Sequence, residues 1–258
     1  MGELLISNYD ISDWMDENSV LTLLIVALSS FAPALIFLNW LRSGGKGGRE
    51  PWYHLSVTFL FGAVFAVVIA ISLEMLAMTL LSLPIVREYD IFSKNPSTIT
   101  FLMVIIVAPF VEEFAKLFGL MKSSAFMNQP RSGLVLGAAV GLGFAATENM
   151  LYEGSALMQG GVLLFLTTAL IRSFSSTLMH GSATSVSGYG YARKRFEGGS
   201  WVPYYLLAVL MHATFNLFAS FGGLFESQLG PFANIIGLAF AFVLVVFSVR
   251  VVRTRIIS

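Results

Sequence analysis

The stretch "VAPFVEEFAKLFGLM" (Val107–Met121) is apolar at every position except Glu112, Glu113 and Lys116. With the preceding "FLMVII" it forms a run of the length that crosses a bilayer, about 20 residues. A charge at the bilayer centre costs at least ~2.5–3.5 kcal/mol on insertion scales. Carboxylates placed there face a polar interior and have a task in it. Reading outward from this stretch means asking which other segments build that interior.

The whole chain has the same character. Its 258 residues are 56% hydrophobic and only 12% charged, with a mean hydropathy of +0.79. A soluble domain is nearer half apolar and a quarter charged. The fold class expected is all-α, a polytopic transmembrane bundle, because only helices satisfy their own backbone in lipid at these lengths. Seven spans are predicted, roughly 19–41, 53–82, 98–122, 132–153, 161–190, 201–221 and 231–250. They form a single transmembrane domain over 1–258, with a core at 98–220 and a multi-pass location in the cell membrane. The N-terminal twenty residues carry Glu3, Asp10, Asp13, Asp16 and Glu17 and no base, unlike a cleavable signal peptide.

Charge fixes a direction. Arg42, Lys46 and Arg49 follow the first span, and Lys122 and Arg131 flank the loop after the third. Arg193, Lys194 and Arg195 follow the fifth, and Arg250, Arg253 and Arg255 follow the seventh. The opposite loops hold Glu153, Glu226 and a mixed segment with Arg87, Glu88, Asp90 and Lys94. By the positive-inside rule the N-terminus is outside and the C-terminus cytoplasmic. A formal net charge of zero lends no support to nucleic-acid binding. With no cysteine, any metal must be held by His, Glu, Asp or Asn.

Five residues inside the spans stand out: Glu112, Glu113, Glu148, His180 and His212. At ~1.5 Å per residue, Glu113, His180 and His212 lie ~14, ~15 and ~16 Å from the cytoplasmic ends of their spans. Glu148 comes out higher, at ~24 Å. Lys116 shares a helix face with both glutamates of its span, Asn216 with His212, and Phe144 with Glu148. Arg172, two turns before His180, is placed to pair with a glutamate. Gly133, Gly137, Gly141 and Ala145 recur every four residues, a stripe that admits a close helix neighbour. Each feature alone is also explained by packing or a structural ion pair, and Asn149 and Tyr152 read as packing and hydrogen-bonding residues rather than catalysts. Together, two His and up to three Glu on four helices suit a divalent ion such as zinc when no thiolate exists. A proton- or ion-coupled transporter is the rival reading of the same residues.

The motifs "EEFAK", "FAATENMLY", Arg172 with His180, and "HATFN" resemble the PrsW family of intramembrane proteases. That family lies in the wider group of CAAX prenyl proteases and bacteriocin-processing enzymes, the alternative within that group. In that group's patterns Glu112, Glu113 and Lys116 fill the first motif, Phe144 and Glu148 the second, and His212 and Asn216 the last. Lys116 where others carry Arg, and Glu148 where CAAX proteases carry His, favour the PrsW branch. The resemblance implies cleavage of a membrane-anchored protein, such as an anti-sigma factor. It implies Glu112 or Glu113 as general base, with Lys116 and Arg172 beside them and Asn216 donating to the oxyanion. Glu113, Glu148, His180 and His212 are then the expected metal ligands, with Zn2+ as the ion.

Overall fold

The structure, a computed structural model, describes residues 19–43, 49–93 and 97–257. Lys46, Lys94 and the acidic residues Glu3 to Glu17 lie outside the described residues. Helices α1 (Ser19–Arg42), α2 (Trp52–Leu81) and α3 (Ser97–Phe126) are followed by α4 (Pro130–Phe174), α5 (Ser176–Glu197) and α6 (Val202–Ala219). A nine-residue α7 (Phe221–Leu229) and α8 (Phe232–Ile257) complete the bundle, and two short helical turns, Pro84–Arg87 and Asp90–Ser93, link α2 to α3.

Among the described residues, six helical stretches are long and apolar enough to cross a membrane. One of them, Pro130–Glu197, has 68 residues. Straight, it would run ~100 Å, over three times a ~30 Å hydrocarbon core. It folds back on itself. Gly160 (φ −140°, ψ 15°) and Gly161 (φ 66°, ψ −162°) leave helical geometry, and Gly161 takes a positive φ that only glycine adopts cheaply. The two arms pair antiparallel about that point. Gly133 faces Gly188, Gly137 faces Thr184, and Gly141 faces His180, each pair centred on the Gly160–Gly161 bond. The arms therefore make two crossings, and the seven expected spans are present.

The glycine stripe lies in this hairpin seam. A Cβ at Gly141 would fall 2.3 Å from the His180 carbonyl oxygen, so the stripe sets how near α5 comes to α4. On the other side of α4, a Cβ at Gly62 would sit 2.1 Å from the Val140 carbonyl, which brings α2 equally close. The core thus forms around α4, where Leu136, Ala138, Ala139, Val140 and Leu142 are wholly buried.

Expectations about Glu153, its neighbouring loops and the end of α5 are corrected, while α3 runs unbroken through Pro109. The helix widens into a π-turn at Met103–Val107, in which Ala108 N–H bonds the Met103 carbonyl. Glu153 is not a loop residue, because α4 runs on to Gly160. It is fully buried and accepts hydrogen bonds from Ser29 (2.5 Å) and Ser30 (2.9 Å) of α1. The segments 155–160 and 223–229, expected as loops, are likewise helical. Finally, α5 extends to Glu197, seven residues past its expected end at 190. His180 is then ~26 Å from the end of its helix, and the depth mismatch with Glu148 disappears.

The ends of α1, α5 and α8 and the starts of α4 and α6 share one face of the bundle. Arg253 of α8 donates to the carbonyls of Trp40 and Leu41, and Arg193 of α5 to the Tyr204 hydroxyl of α6. This end carries the basic residues. Ser200→Cys should therefore react with a membrane-impermeant thiol reagent only from the cytoplasmic side. Gln159→Cys and Gln228→Cys should react only from outside. Labelling of all three from one side would overturn this topology. Gly141→Val should cost about 1–3 kcal/mol or more by overpacking the seam, read as a lower melting temperature.

Candidate active site

The intramembrane carboxylates meet one cation. Lys116 is fully buried, and its Nζ lies 3.0 Å from Glu112 Oε2, 3.0 Å from Glu113 Oε1 and 2.8 Å from His180 Nδ1. The spacings of three and four residues place both carboxylates on its helix face. The ring of Phe144, 4.0 Å from the ammonium, closes the remaining side.

An ammonium can only donate, so His180 Nδ1 accepts from Lys116. In the neutral ring Nε2 then carries the proton and donates to Glu148 Oε2 at 2.8 Å. The same oxygen accepts from Arg172 Nη2 at 2.8 Å. Arg172 and His180 are eight residues apart, ~12 Å along a straight helix, and the reach of the guanidinium closes the gap. Arg172 is itself held by Asn149 Oδ1 (2.7 Å) and Ser176 Oγ (3.1 Å), and its guanidinium lies 3.8 Å over the Tyr152 ring. Asn149 donates in turn to Thr177 Oγ1 at 2.7 Å. Asn149 and Tyr152, expected to pack and hydrogen-bond, support this ion pair, Asn149 through its amide and Tyr152 through its ring.

On α6, His212 Nδ1 lies 3.2 Å from Glu113 Oε1, while Thr184 Oγ1 donates to Glu113 Oε2 at 3.1 Å. With His212 Nδ1 donating, Nε2 keeps a free lone pair, 3.9 Å from Glu112 Oε2. His180 Nδ1 is also 3.9 Å from that oxygen. One atom each from Glu112, His180 and His212 therefore lie within 4.8 Å of one another, all on buried residues. Among the described residues this is the group able to hold a metal ion. It contains three of the residues singled out in the sequence. Glu113 and Glu148 lie one bond further out, each on the far nitrogen of a histidine.

The donor set fits a divalent cation in three respects. Ligand atoms around a tetrahedral ion at ~2.0–2.1 Å are ~3.3–3.4 Å apart, and both histidine nitrogens lie 3.9 Å from Glu112 Oε2, so the three would draw in by about half an ångström or more around an ion. Each imidazole is oriented by a carboxylate on its other nitrogen, the usual support of a metal-binding histidine. The surroundings are also net acidic: among the described residues three carboxylates, Glu112, Glu113 and Glu148, share the two cations Lys116 and Arg172. The Lys116 ammonium is the stand-in, sharing Glu112 Oε2 and His180 Nδ1 with the position an ion would take.

A cavity of about 500 Å³ opens onto the group, lined by Glu112, His180, Glu148, Arg172 and Asn216 among others. Asn216 Nδ2 donates to the Val104 carbonyl at 2.8 Å. The π-turn frees that carbonyl, because Ala108 bonds Met103 and Pro109 has no N–H to offer. An amide has a second N–H, which is still available to a ligand. Glu74 of α2 also lines the cavity, and sequence reasoning passed over it. Its signal was plain, since no other Asp, Glu, Lys or Arg stands in 53–82.

A family model described as "PrsW family intramembrane metalloprotease" matches residues 50–251, which include every residue above. The chain belongs to that family. It is a multi-pass membrane protease that hydrolyses peptide bonds. It is similar to the protein named "Protease PrsW" of Clostridioides difficile (strain 630), 29% identical over 199 residues, 73% of this chain and 76% of that one. A second relative, "Protease PrsW" of Geobacillus kaustophilus (strain HTA426), is 26% identical over 165 residues, 64% of each chain. No solved structure matches the chain significantly. The family is described as one of metalloproteases, and the buried Glu112, His180 and His212 form a group that could bind a metal ion.

Lys116→Met should destabilise the protein by about 3–5 kcal/mol, because it leaves two buried carboxylates uncompensated. Thermal unfolding in detergent would read this, and a second substitution, Glu113→Gln, should restore part of the loss.

Proposed function

We propose that this chain is an endopeptidase that cleaves a membrane-anchored protein, such as an anti-sigma factor, with water activated at a zinc ion held by His180 and His212 beside Glu112. One observation carries the reading. The bare nitrogen of His212 and the Lys116-capped nitrogen of His180 meet Glu112 at the floor of a cavity within the membrane-spanning helices. In this reading Glu113 and Glu148 orient the two rings rather than bind the ion, and Lys116 and Arg172 hold those carboxylates in turn.

A bound Zn2+ supplies Lewis acidity that brings a water's pKa to ~7 and polarises a carbonyl. The chain's own groups do the rest. Glu112, which lines the cavity, takes the proton from water as its oxygen adds to the scissile carbonyl carbon. The free N–H of Asn216 donates to the oxygen on which negative charge collects, an interaction worth about 10²–10³-fold in rate. Glu112 then returns its proton to the leaving amide nitrogen as the C–N bond breaks. The apolar remainder of the cavity wall, with Val67, Ala70 and Phe215, excludes bulk water from these steps.

Glu112→Gln keeps the shape of the side chain but cannot take a proton. Cleavage of a single-span peptide in proteoliposomes should fall by at least ~10²-fold, with the melting temperature little changed. Purified wild type should carry about one zinc per chain by elemental analysis, and His212→Ala should lose it. Wild-type turnover in Glu112→Gln, or full activity after metal is stripped, would overturn the assignment. Asn216→Ala should lower kcat with little change in KM.

A further inference from the structure

A second concavity, of about 640 Å³, lies on the outside of the bundle between α1, α5 and α8, away from the catalytic cavity. Its walls are apolar: Trp40, Phe174, Phe242 and Val246, with further valines of α8. Among the described residues its charged lining groups are two arginines at one end, Arg250 and Arg253, with no carboxylate. Arg253 is partly engaged, its Nη1 donating to the last carbonyls of α1 while its guanidinium lies 4.7 Å over Trp40. That contact fixes its position and leaves its other nitrogens without a partner among the described residues. Arg250 is exposed, and its guanidinium makes no hydrogen bond or ion pair with a described residue.

The dimensions of the groove identify its occupant. From Phe242 to Arg253 is eleven residues of α8, ~16 Å, against ~15 Å for half of a ~30 Å hydrocarbon core. An apolar channel one leaflet deep, ending in two cations at headgroup level, matches an acyl chain with an anionic phosphate above it. We propose that this groove binds an anionic phospholipid from the arginine-bearing leaflet, its acyl chain along Phe242 and Val246 and its phosphate on Arg250 and Arg253. The site is independent of the proteolytic reading, because no residue of the catalytic cavity takes part.

The test uses the purified full chain in detergent, with dioleoyl phosphatidylglycerol, dioleoyl phosphatidylcholine or inorganic phosphate added. Bound lipid is counted by native mass spectrometry and the melting temperature is followed in parallel. Wild type should retain phosphatidylglycerol in preference to phosphatidylcholine and should melt higher with it. Arg250→Gln should weaken retention of phosphatidylglycerol about fivefold, the worth of one arginine near an anionic headgroup. Val246→Trp fills the groove without touching charge and should displace the lipid while leaving the fold intact, since Val246 is 64% exposed. Equal retention of the two lipids would overturn the proposal, as would an unchanged preference in both variants. A shift reproduced by inorganic phosphate alone would show an anion site without a lipid. A dimer that protects the groove would show a second copy of this chain as its occupant.

Discussion

Neutralisation of charge out of reach of water is the constraint on which the rest of this protein depends. Three glutamates of the site lie inside a bundle built of apolar helices, and each must find a cation or a donor there. Lys116 serves two of them and Arg172 the third. The histidines bridge these pairs, so that Glu148, His180, Lys116, Glu112, Glu113 and His212 form one connected network across α3, α4, α5 and α6. No helix of the four can turn or slide without leaving one of these groups unpaired.

Such a network demands close and fixed helix positions, and the glycine seam supplies them. The backbones of α4 and α5 meet at Gly133, Gly137 and Gly141, with the last directly against the His180 carbonyl. The same stripe that packs the hairpin therefore sets the distance between Glu148 and His180. Packing and the polar network are joined at that point in the chain: a side chain added for bulk would move the His180 imidazole.

Where sequence reasoning erred, it erred over the environment of single residues. Glu153 was placed in a loop because a charged residue near the end of an apolar run usually marks its boundary. Two serines on α1, over a hundred residues away in sequence, make it tolerable inside the bundle. Glu148 looked too deep because the end of α5 was set at its first basic cluster, whereas Arg193, Lys194 and Arg195 lie in its last turns. Asn149 and Tyr152 carried no distinguishing pattern. Their role exists only because Arg172 arrives from the other arm of the hairpin.

By itself the sequence determined the all-helical membrane class, the seven crossings and the residues that form the polar centre. It could do so because the bilayer imposes length and apolarity on each span separately, and every intramembrane charge is visible one residue at a time. Only the tertiary structure decided which carboxylate meets both imidazoles. Glu112 and Glu113 are adjacent and chemically identical, and helix periodicity points them only ~100° apart. The choice of Glu112 for the group with His180 and His212, and of Glu113 for the far nitrogen of His212, follows from where α5 and α6 dock against α3. That docking is a sum of contacts between distant segments, and no local pattern in the chain contains it.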